Sequence, residues 1–297
     1  MSILLKILLR SGPCLDTVPA LRLCLRALDV PVLRQLVIAS RLKFTPDVLE
    51  RVRASGLPPA EKARLFSSAM NLFRSGSTFK TTGAGRTPLT DREILAKAGP
   101  GDEILEVGVS DGISALGLLE ARGGRGVTLS DRQDAFRCRD FGPLRVFYDR
   151  EDGLLSVKFL FLYLCTWLAA GEPPPDARRV RLLNPEVLER FPAAELVRFD
   201  IFTDVLPRKA AFIKCANVLN KAYFGPADAR RAVANLARSL EEGGWLFVSQ
   251  ANAAYADGEA WLALRLTGGR LRLAGEANSH ELLADLKSAA FAGLVDA

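Results

Sequence analysis

The sequence predicts an α/β chain, a doubly wound and mostly parallel sheet with a helical region before it and an insertion after its second strand. Three observations predict this. Apolar, strand-like runs closing on an acid recur at Glu103–Glu106, Gly126–Asp131 and Leu196–Asp200. Helical patterns lie between later strands, and alternating strands and helices imply parallel crossovers. The first run is followed at once by Gly108, Gly112 and an apolar helical pattern at Ala115, Leu116, Leu118 and Leu119.

That first strand, turn and helix start is the most informative stretch. Gly108 lets the backbone turn at little steric cost, and Gly112 lets a ligand or the helix come close. The free N–H groups of a helix start then face a ligand. Spacing separates the candidate ligands. A dinucleotide fingerprint needs glycines where this chain has Ser110 and Ile113, and a phosphate-cradling Gly-Lys-Ser/Thr is absent.

Acid-x-Gly-x-x-x-Gly, as Glu106, Gly108 and Gly112, resembles motif I of class I S-adenosylmethionine (SAM) methyltransferases, whose usual third glycine is here Ser110. The resemblance covers residues 88–250, with an interruption, and implies a Rossmann-like fold. It implies that Glu106 orients the methionine amine and that the backbone of Gly108, Ser110, Asp111 and Gly112 holds the remaining polar atoms. It places Asp131 on the ribose hydroxyls, Asp200 on the adenine amino group and Ile201 against the ring. Ala211–Asn220, followed by Tyr223 and Phe224, resembles the fourth strand of the family, and loosely the Asn-Val-Leu segment of chemotaxis-receptor methyltransferases. The helix from Ala227 to Leu240, the turn Glu241–Gly244 and the strand Trp245–Ser249 are similar to the approach to its fifth strand. Asn217, Asn220 and Tyr223 lie where the family often places substrate-facing groups. Asn217 and Tyr223 are thus the catalytic candidates, with Tyr223 orienting an acceptor by hydrogen bonding. Asn217 lacks the Pro-Pro-Tyr/Phe continuation of many amino-methylating enzymes. No metal is required.

Helices dominate the expected order before the sheet. Residues 1–80 form a helical region, punctuated by Pro31 and Gly56–Pro59. Leu21 to Leu36 shows helical spacing, and Thr45-Pro46-Asp47 and Pro59 read as helix starts. Gly76 to Pro88 reads as a loop. Thr90-Asp-Arg-Glu93 matches a capping box opening a short helix to Lys97. Residues 81–297 then form the methyltransferase-like domain, with the insertion at about residues 135–180.

The interval from Asp131 to Asp200 is longer than one helix and strand require. It holds a strand at Leu144–Tyr148, a charged turn at Asp149–Gly153 and an apolar helix at Phe159–Ala170. Val180–Asn184 also reads as a second strand, so Asp131 and Asn184 both stand as ribose candidates, with Asp131 preferred for its charge and its place after motif I. The N-terminal helices and residues 140–180 are expected to cover the ligand edge of the sheet. Trp261–Leu266 and Arg270–Ala274 read as a hairpin across Thr267-Gly-Gly269. A final helix spans Glu281 to Ala290.

Charge and cysteine usage bound the partners. The net charge is +6, and residues 1–43 hold seven Lys and Arg against two Asp, or 7 − 2 = +5 of it. The remainder is nearly neutral, which argues against a general nucleic-acid binder. The basic N-terminal region is a candidate contact for an anionic surface. Five cysteines without Cys-x-x-Cys, and one histidine, argue against a zinc site or a disulfide framework. Reduced thiols fit a cytoplasmic protein, with peripheral membrane contact as the variant of that location. No clean signal-peptide core and no run of membrane-spanning length is read. His280 reads as a capping-turn residue rather than a hydrolase base.

The expected function is methyl transfer from SAM to a small-molecule or lipid-like acceptor. A nucleic-acid or protein methyltransferase and a non-catalytic SAM-fold binding protein are the alternatives.

Overall fold

The computed structural model describes residues 7, 9–75, 78–79, 83–149 and 153–296. It divides into two compact units, Met1–Thr81 with Gln133–Glu186, and Thr82–Arg132 with Val187–Ala297. Lys6, the loop residues 76, 77 and 80–82, and Arg150 to Asp152 of the charged turn lie outside the described residues.

The first unit opens with β1 (Gly12–Pro13), α1 (Val18–Leu28), α2 (Pro31–Ser40), α3 (Asp47–Arg53) and α4 (Pro59–Met70). The short hairpin β2 (Arg74–Ser75) and β3 (Thr78–Phe79) follows, and β3 lies within the segment expected to be a loop. Thr17 caps α1 by accepting the Ala20 N–H, and prolines begin α2 and α4, where a missing N–H costs nothing.

The second unit begins with α5 (Pro88–Lys97), β4 (Ile104–Val107), a 3₁₀ turn at Ile113–Ala115, α6 (Leu116–Ala121) and β5 (Val127–Asp131). The capping box at Thr90 does not form. The helix starts at Pro88, and Glu259 accepts from the Leu89 and Thr90 amides at 2.9 and 3.2 Å. A distant carboxylate thus takes the Thr90 N–H that Glu93 was expected to serve, and the Leu89 N–H besides.

The chain then returns to the first unit as β6 (Ala135–Phe141), β7 (Leu144–Phe147), β8 (Leu154–Phe159), β9 (Leu162–Ala169) and β10 (Arg178–Arg181). The strand order is β1-β9-β8-β7-β6-β10, antiparallel throughout. The apolar helix expected at Phe159–Ala170 is therefore a tight turn and a strand. Burial alternates along it: Tyr163 and Cys165 are inside, while Leu162 and Leu164 are exposed. Continuous apolar composition concealed that period of two, and its aromatic and threonine content suits a pleated surface. On the packed face, the buried Asp47 of α3 meets Arg145, Lys158 and Arg178 at 2.6, 3.2 and 3.2 Å.

The remaining elements are α7 (Pro185–Arg190), β11 (Leu196–Arg198), β12 (Ala210–Ala216), α8 (Pro226–Arg238), β13 (Leu240–Ala251), β14 (Glu259–Thr267), β15 (Arg270–Ala277), α9 (Leu283–Leu286) and β16 (Val295–Asp296). The second unit's sheet has the order β11-β5-β4-β12-β13-β14-β15-β16. The pairs from β11 to β13 are parallel, β13–β14 and β14–β15 are antiparallel, and β16 is parallel to β15. This is a Rossmann-like α/β arrangement. Helix α8 packs on one face with Leu105, Ile213 and Leu246, and α5 and α6 pack on the other with Ile104, Phe212 and Phe247.

Several boundaries differ from expectation. The strand at 196 ends at Arg198, so Asp200 and Ile201 sit in the turn beyond it. Glu241–Gly244 is a bulge within β13 rather than a separate turn, since the register moves from Ala210↔Leu240 to Phe212↔Trp245. The last helix shortens to α9 and a 3₁₀ turn at Ala289–Phe291. The β14–β15 hairpin is longer than expected, and Gly268 and Gly269 both hold positive φ, as its two-residue turn demands.

Candidate functional site

Chain order reverses between β4 and β12, with β5 and β11 on one side of β4 and β12 and β13 on the other. Carboxyl ends of strands at such a point frame the ligand crevice of open α/β sheets. The loop leaving β4 lies here. Gly108, Ser110 and Gly112 take φ of 71°, 57° and 78°. Val109 donates its N–H to the Ser130 carbonyl at 3.1 Å, and Ser110 donates its N–H to the Asp131 carboxylate at 2.9 Å. Gly112 donates back to Val109 at 2.9 Å, and Ile113 donates to the Asp111 carboxylate at 3.2 Å. Ser110 thus holds the left-handed conformation that glycine takes freely and that costs another residue about 1–2 kcal/mol. At Gly108 a Cβ would lie 2.3 Å from Val218 Cγ2. Glycine is required there by the neighbouring chain as well as by φ.

Glu106 and Lys214 are register partners on β4 and β12 and point to the α5 side of the sheet. Lys214 is fully buried, with Nζ 3.0 Å from Glu106 Oε1 and 2.6 Å from Asp91 Oδ1 of α5. Burial pushes the Glu106 carboxyl up, and Lys214 only partly offsets this. Burial pulls the Lys214 ammonium down, but Glu106 and Asp91 outweigh it and the net direction is upward. Glu106 Oε2 is buried with no hydrogen-bond partner among the described residues. A cleft of about 580 Å³, mostly apolar, opens between α5 and α6 and reaches this cluster through Asp91.

The structure distributes the remaining candidates unevenly. Asp131 ends β5, is 7% exposed and braces the glycine loop. Asn184 belongs to the first unit. Its amide donates to the Ala63 carbonyl and Ser67 hydroxyl of α4 at 3.0 and 2.9 Å, and its oxygen accepts the Glu186 N–H at 3.0 Å. It ties the Glu186 amide to α4 within that unit. The carboxylate of Asp200 accepts the Phe202 N–H at 2.9 Å and meets the exposed Arg132 at 3.3 Å. Ile201 is buried in the core that holds Phe199 and Leu219.

Asn217 is a structural tie. At φ 59° it donates its N–H to the Ser249 carbonyl at 2.7 Å, and its side-chain oxygen accepts the Ala251 N–H at 2.7 Å. It joins the ends of β12 and β13. Asn220 caps its own turn by accepting the Ala222 N–H at 2.7 Å. Tyr223 is 49% exposed, with its ring edge-on to Phe224.

Lys214 and Asp91 were not singled out from the sequence. The signal was present in Ala-Ala-Phe-Ile-Lys-Cys-Ala, because a lysine in the middle of a strand buried on both faces demands a buried carboxylate. His280 does sit in a capping turn, with Nδ1 accepting the Leu282 N–H at 3.1 Å.

No family model and no curated protein matches the sequence. The chain is similar in structure to the S-adenosylmethionine-dependent methyltransferase SibL in its apo form, at 18% identity, over 70% of this chain and 44% of that one, with a TM-score of 0.35. It is similar to an O-methyltransferase family protein from Burkholderia thailandensis, at 10% identity, over 70% and 46% of the two chains, with a TM-score of 0.34. It is also similar to the glycopeptide N-methyltransferase MtfA complexed with sinefungin, at 21% identity, over 66% of each chain, with a TM-score of 0.32. The chain thus spans under half the length of the first two. At such TM-scores the likeness carries no functional argument.

Proposed function

We propose that this chain is a SAM-dependent methyltransferase acting on a small-molecule or lipid-like acceptor, with residues 133–186 inserted after the second strand of its methyltransferase-like unit. One observation carries the reading: the loop Gly108–Gly112, at the point where strand order reverses, is braced by Asp131 and begins two residues after the buried Glu106, whose carboxylate meets Lys214 and the Ser114 hydroxyl and whose Oε2 lacks a full hydrogen bond among the described residues. A buried acceptor of this kind fits an ammonium donor, and the loop fits a ligand that needs close backbone approach. When bound, SAM supplies a sulfonium-activated methyl group.

The chain's own residues then bind and align. Glu106 accepts the amine, the backbone of Gly108, Ser110, Asp111 and Gly112 meets the other polar atoms, and Asp131 offers carboxylate oxygen to the ribose. Asp200 and Ile201 sit at the adenine end. Arg132 can leave Asp200 at little cost, because exposed ion pairs contribute only about 0–1 kcal/mol. Rate enhancement comes from alignment and exclusion of water. Asn217 has its oxygen engaged with Ala251, which weighs against an acceptor amino group held by that oxygen. Tyr223 remains the candidate for orienting the acceptor.

One observation favours a second reading, a non-catalytic binding protein of the same fold. Lys214 already places an ammonium on Glu106 Oε1. Calorimetry with SAM and S-adenosylhomocysteine tests the first reading, which expects micromolar-range affinity, about −8 kcal/mol. Absence of heat with both ligands overturns it. Binding without methyl transfer to any member of a broad acceptor panel selects the second.

A further inference from the structure

Among the described residues, the first unit's sheet has one face packed by that unit's helices and one face lined by exposed apolar side chains. Residues directly opposite on adjacent antiparallel strands share a face. Pro13 is opposite Leu162, Leu162 opposite Phe159, Phe159 opposite Leu144, and Leu144 opposite Phe141. This row crosses five strands, and its four large side chains are 38–49% exposed. The β8–β9 turn extends it, with Leu160 and Phe161 exposed at 61% and 68%. Leu160 has φ 50°, in a hairpin position that favours glycine or asparagine. The sequence therefore puts leucine where the backbone disfavours it and where only solvent receives it.

Helix α2 of the same unit also exposes apolar side chains. It buries none of its side chains, and Val32, Leu36 and Ile38 are 72%, 61% and 59% exposed. The two regions are joined through β1. Cys14 donates its N–H to the Phe161 carbonyl at 2.6 Å, and Lys43, just beyond α2, donates to the Pro13 carbonyl at 2.7 Å. Exposed apolar area on this scale marks an interaction surface.

Charge selects the partner. Residues 9–43 hold six Lys and Arg against Asp16 and Asp29, or 6 − 2 = +4, and Asp16 is buried against Lys158. Arg34 and Arg41 are exposed on and just after α2. We propose that this face docks on an anionic lipid bilayer, with Leu160, Phe161 and the Val32–Leu36 side of α2 entering the interface. A second copy is the weaker occupant, because a two-fold contact would set the same basic region against itself. Anionic headgroups complement it. No helix among the described residues is long and apolar enough to cross a membrane, so the contact is interfacial. The inference does not depend on methyl transfer.

Co-sedimentation of the full chain with vesicles tests it. Vesicles of phosphatidylcholine with phosphatidylglycerol should bind about tenfold more tightly than phosphatidylcholine alone, and added salt should weaken that binding. The paired change Leu160→Gly/Phe161→Ser should keep the thermal midpoint, because it relieves the positive φ, and lose about tenfold in vesicle affinity. Leu36→Glu on the exposed helix should act in the same direction and carries the test should the turn variant fail to fold. The proposal is overturned by wild-type chain that ignores anionic vesicles, or by folded variants that bind as wild type does. It is equally overturned by a wild-type dimer that the same substitutions dissociate, since the face then belongs to a second copy.

Discussion

Lys214 sets its ammonium 3.0 Å from Glu106, across adjacent parallel strands and out of contact with solvent. The acid that closes the first strand is therefore half engaged by the protein itself. Asp91 completes the cluster, and two carboxylates face one cation. Removal of the cation should be costly. Lys214→Met is expected to lower stability by about 3–5 kcal/mol, because it strands buried charge. Adding Glu106→Gln should recover part of that loss. Urea unfolding of the two variants checks this, and a Lys214→Met protein as stable as wild type would show the pair to be unimportant.

Gly108 is constrained by Val218 before any ligand arrives. Gly108→Ala should cost about 1–2 kcal/mol for its positive φ, and more for the overlap. Pairing it with Val218→Ala should return the overlap share and leave the backbone share. A double-mutant cycle on thermal unfolding reads the difference. Strict additivity of the two changes would contradict the contact.

His280, the only histidine, is buried, and its pKa is pushed down to about 4 from 6.5, first by desolvation and then by Lys221. The unfolded chain then binds more protons than the folded one between those values. Stability from this site is full above pH 6.5 and is lost as pH falls toward 4. The shift corresponds to about 3 kcal/mol across the window. His280→Asn keeps a capping acceptor but does not titrate. The difference between its stability–pH curve and that of wild type should rise through this window; parallel curves would remove histidine from the explanation.

Asp131 and Asn184 should separate by experiment. On the proposed function, Asp131→Ala weakens SAM by about 1.5–3 kcal/mol, through lost ribose contacts and a loosened Ser110 loop. Asn184→Ala should leave SAM affinity unchanged. It should instead lower stability by about 1–3 kcal/mol, since the Ala63 carbonyl, the Ser67 hydroxyl and the Glu186 amide lose their partner. Calorimetry and urea unfolding, run on both variants, check the assignment. The reverse pattern would move the ribose site to Asn184.

Asn217→Gly should be tolerated better than Asn217→Ala. Both lose the bond to Ala251, but glycine keeps φ 59° without strain. The gap between them should be about 1 kcal/mol, the ordinary penalty of a left-handed non-glycine residue. Equal thermal midpoints would mean that the conformation carries no strain.

The sequence by itself determined what local chemistry dictates. The run before Gly108, the positive-φ glycines at 108 and 112, and the acid closing β5 all follow from residue type and short spacing. So do the capping turn at His280 and the two-glycine hairpin at Gly268–Gly269. Tertiary structure decided what depends on partners distant in the chain. Phe159–Ala170 became a turn and a strand because neighbouring strands paired with it, and a run of apolar residues carries no period to announce that. Helix α5 begins at Pro88 because Glu259, about 170 residues away, serves its amides. Asn217 has its side-chain oxygen on the Ala251 N–H because β13 lies beside it. Asp131 and Asn184 both read as strand-end polar groups, with Asp131 preferred for its charge and place. Only the fold put one on the glycine loop and the other against α4, because hydrogen-bond partners are chosen in space and not along the chain.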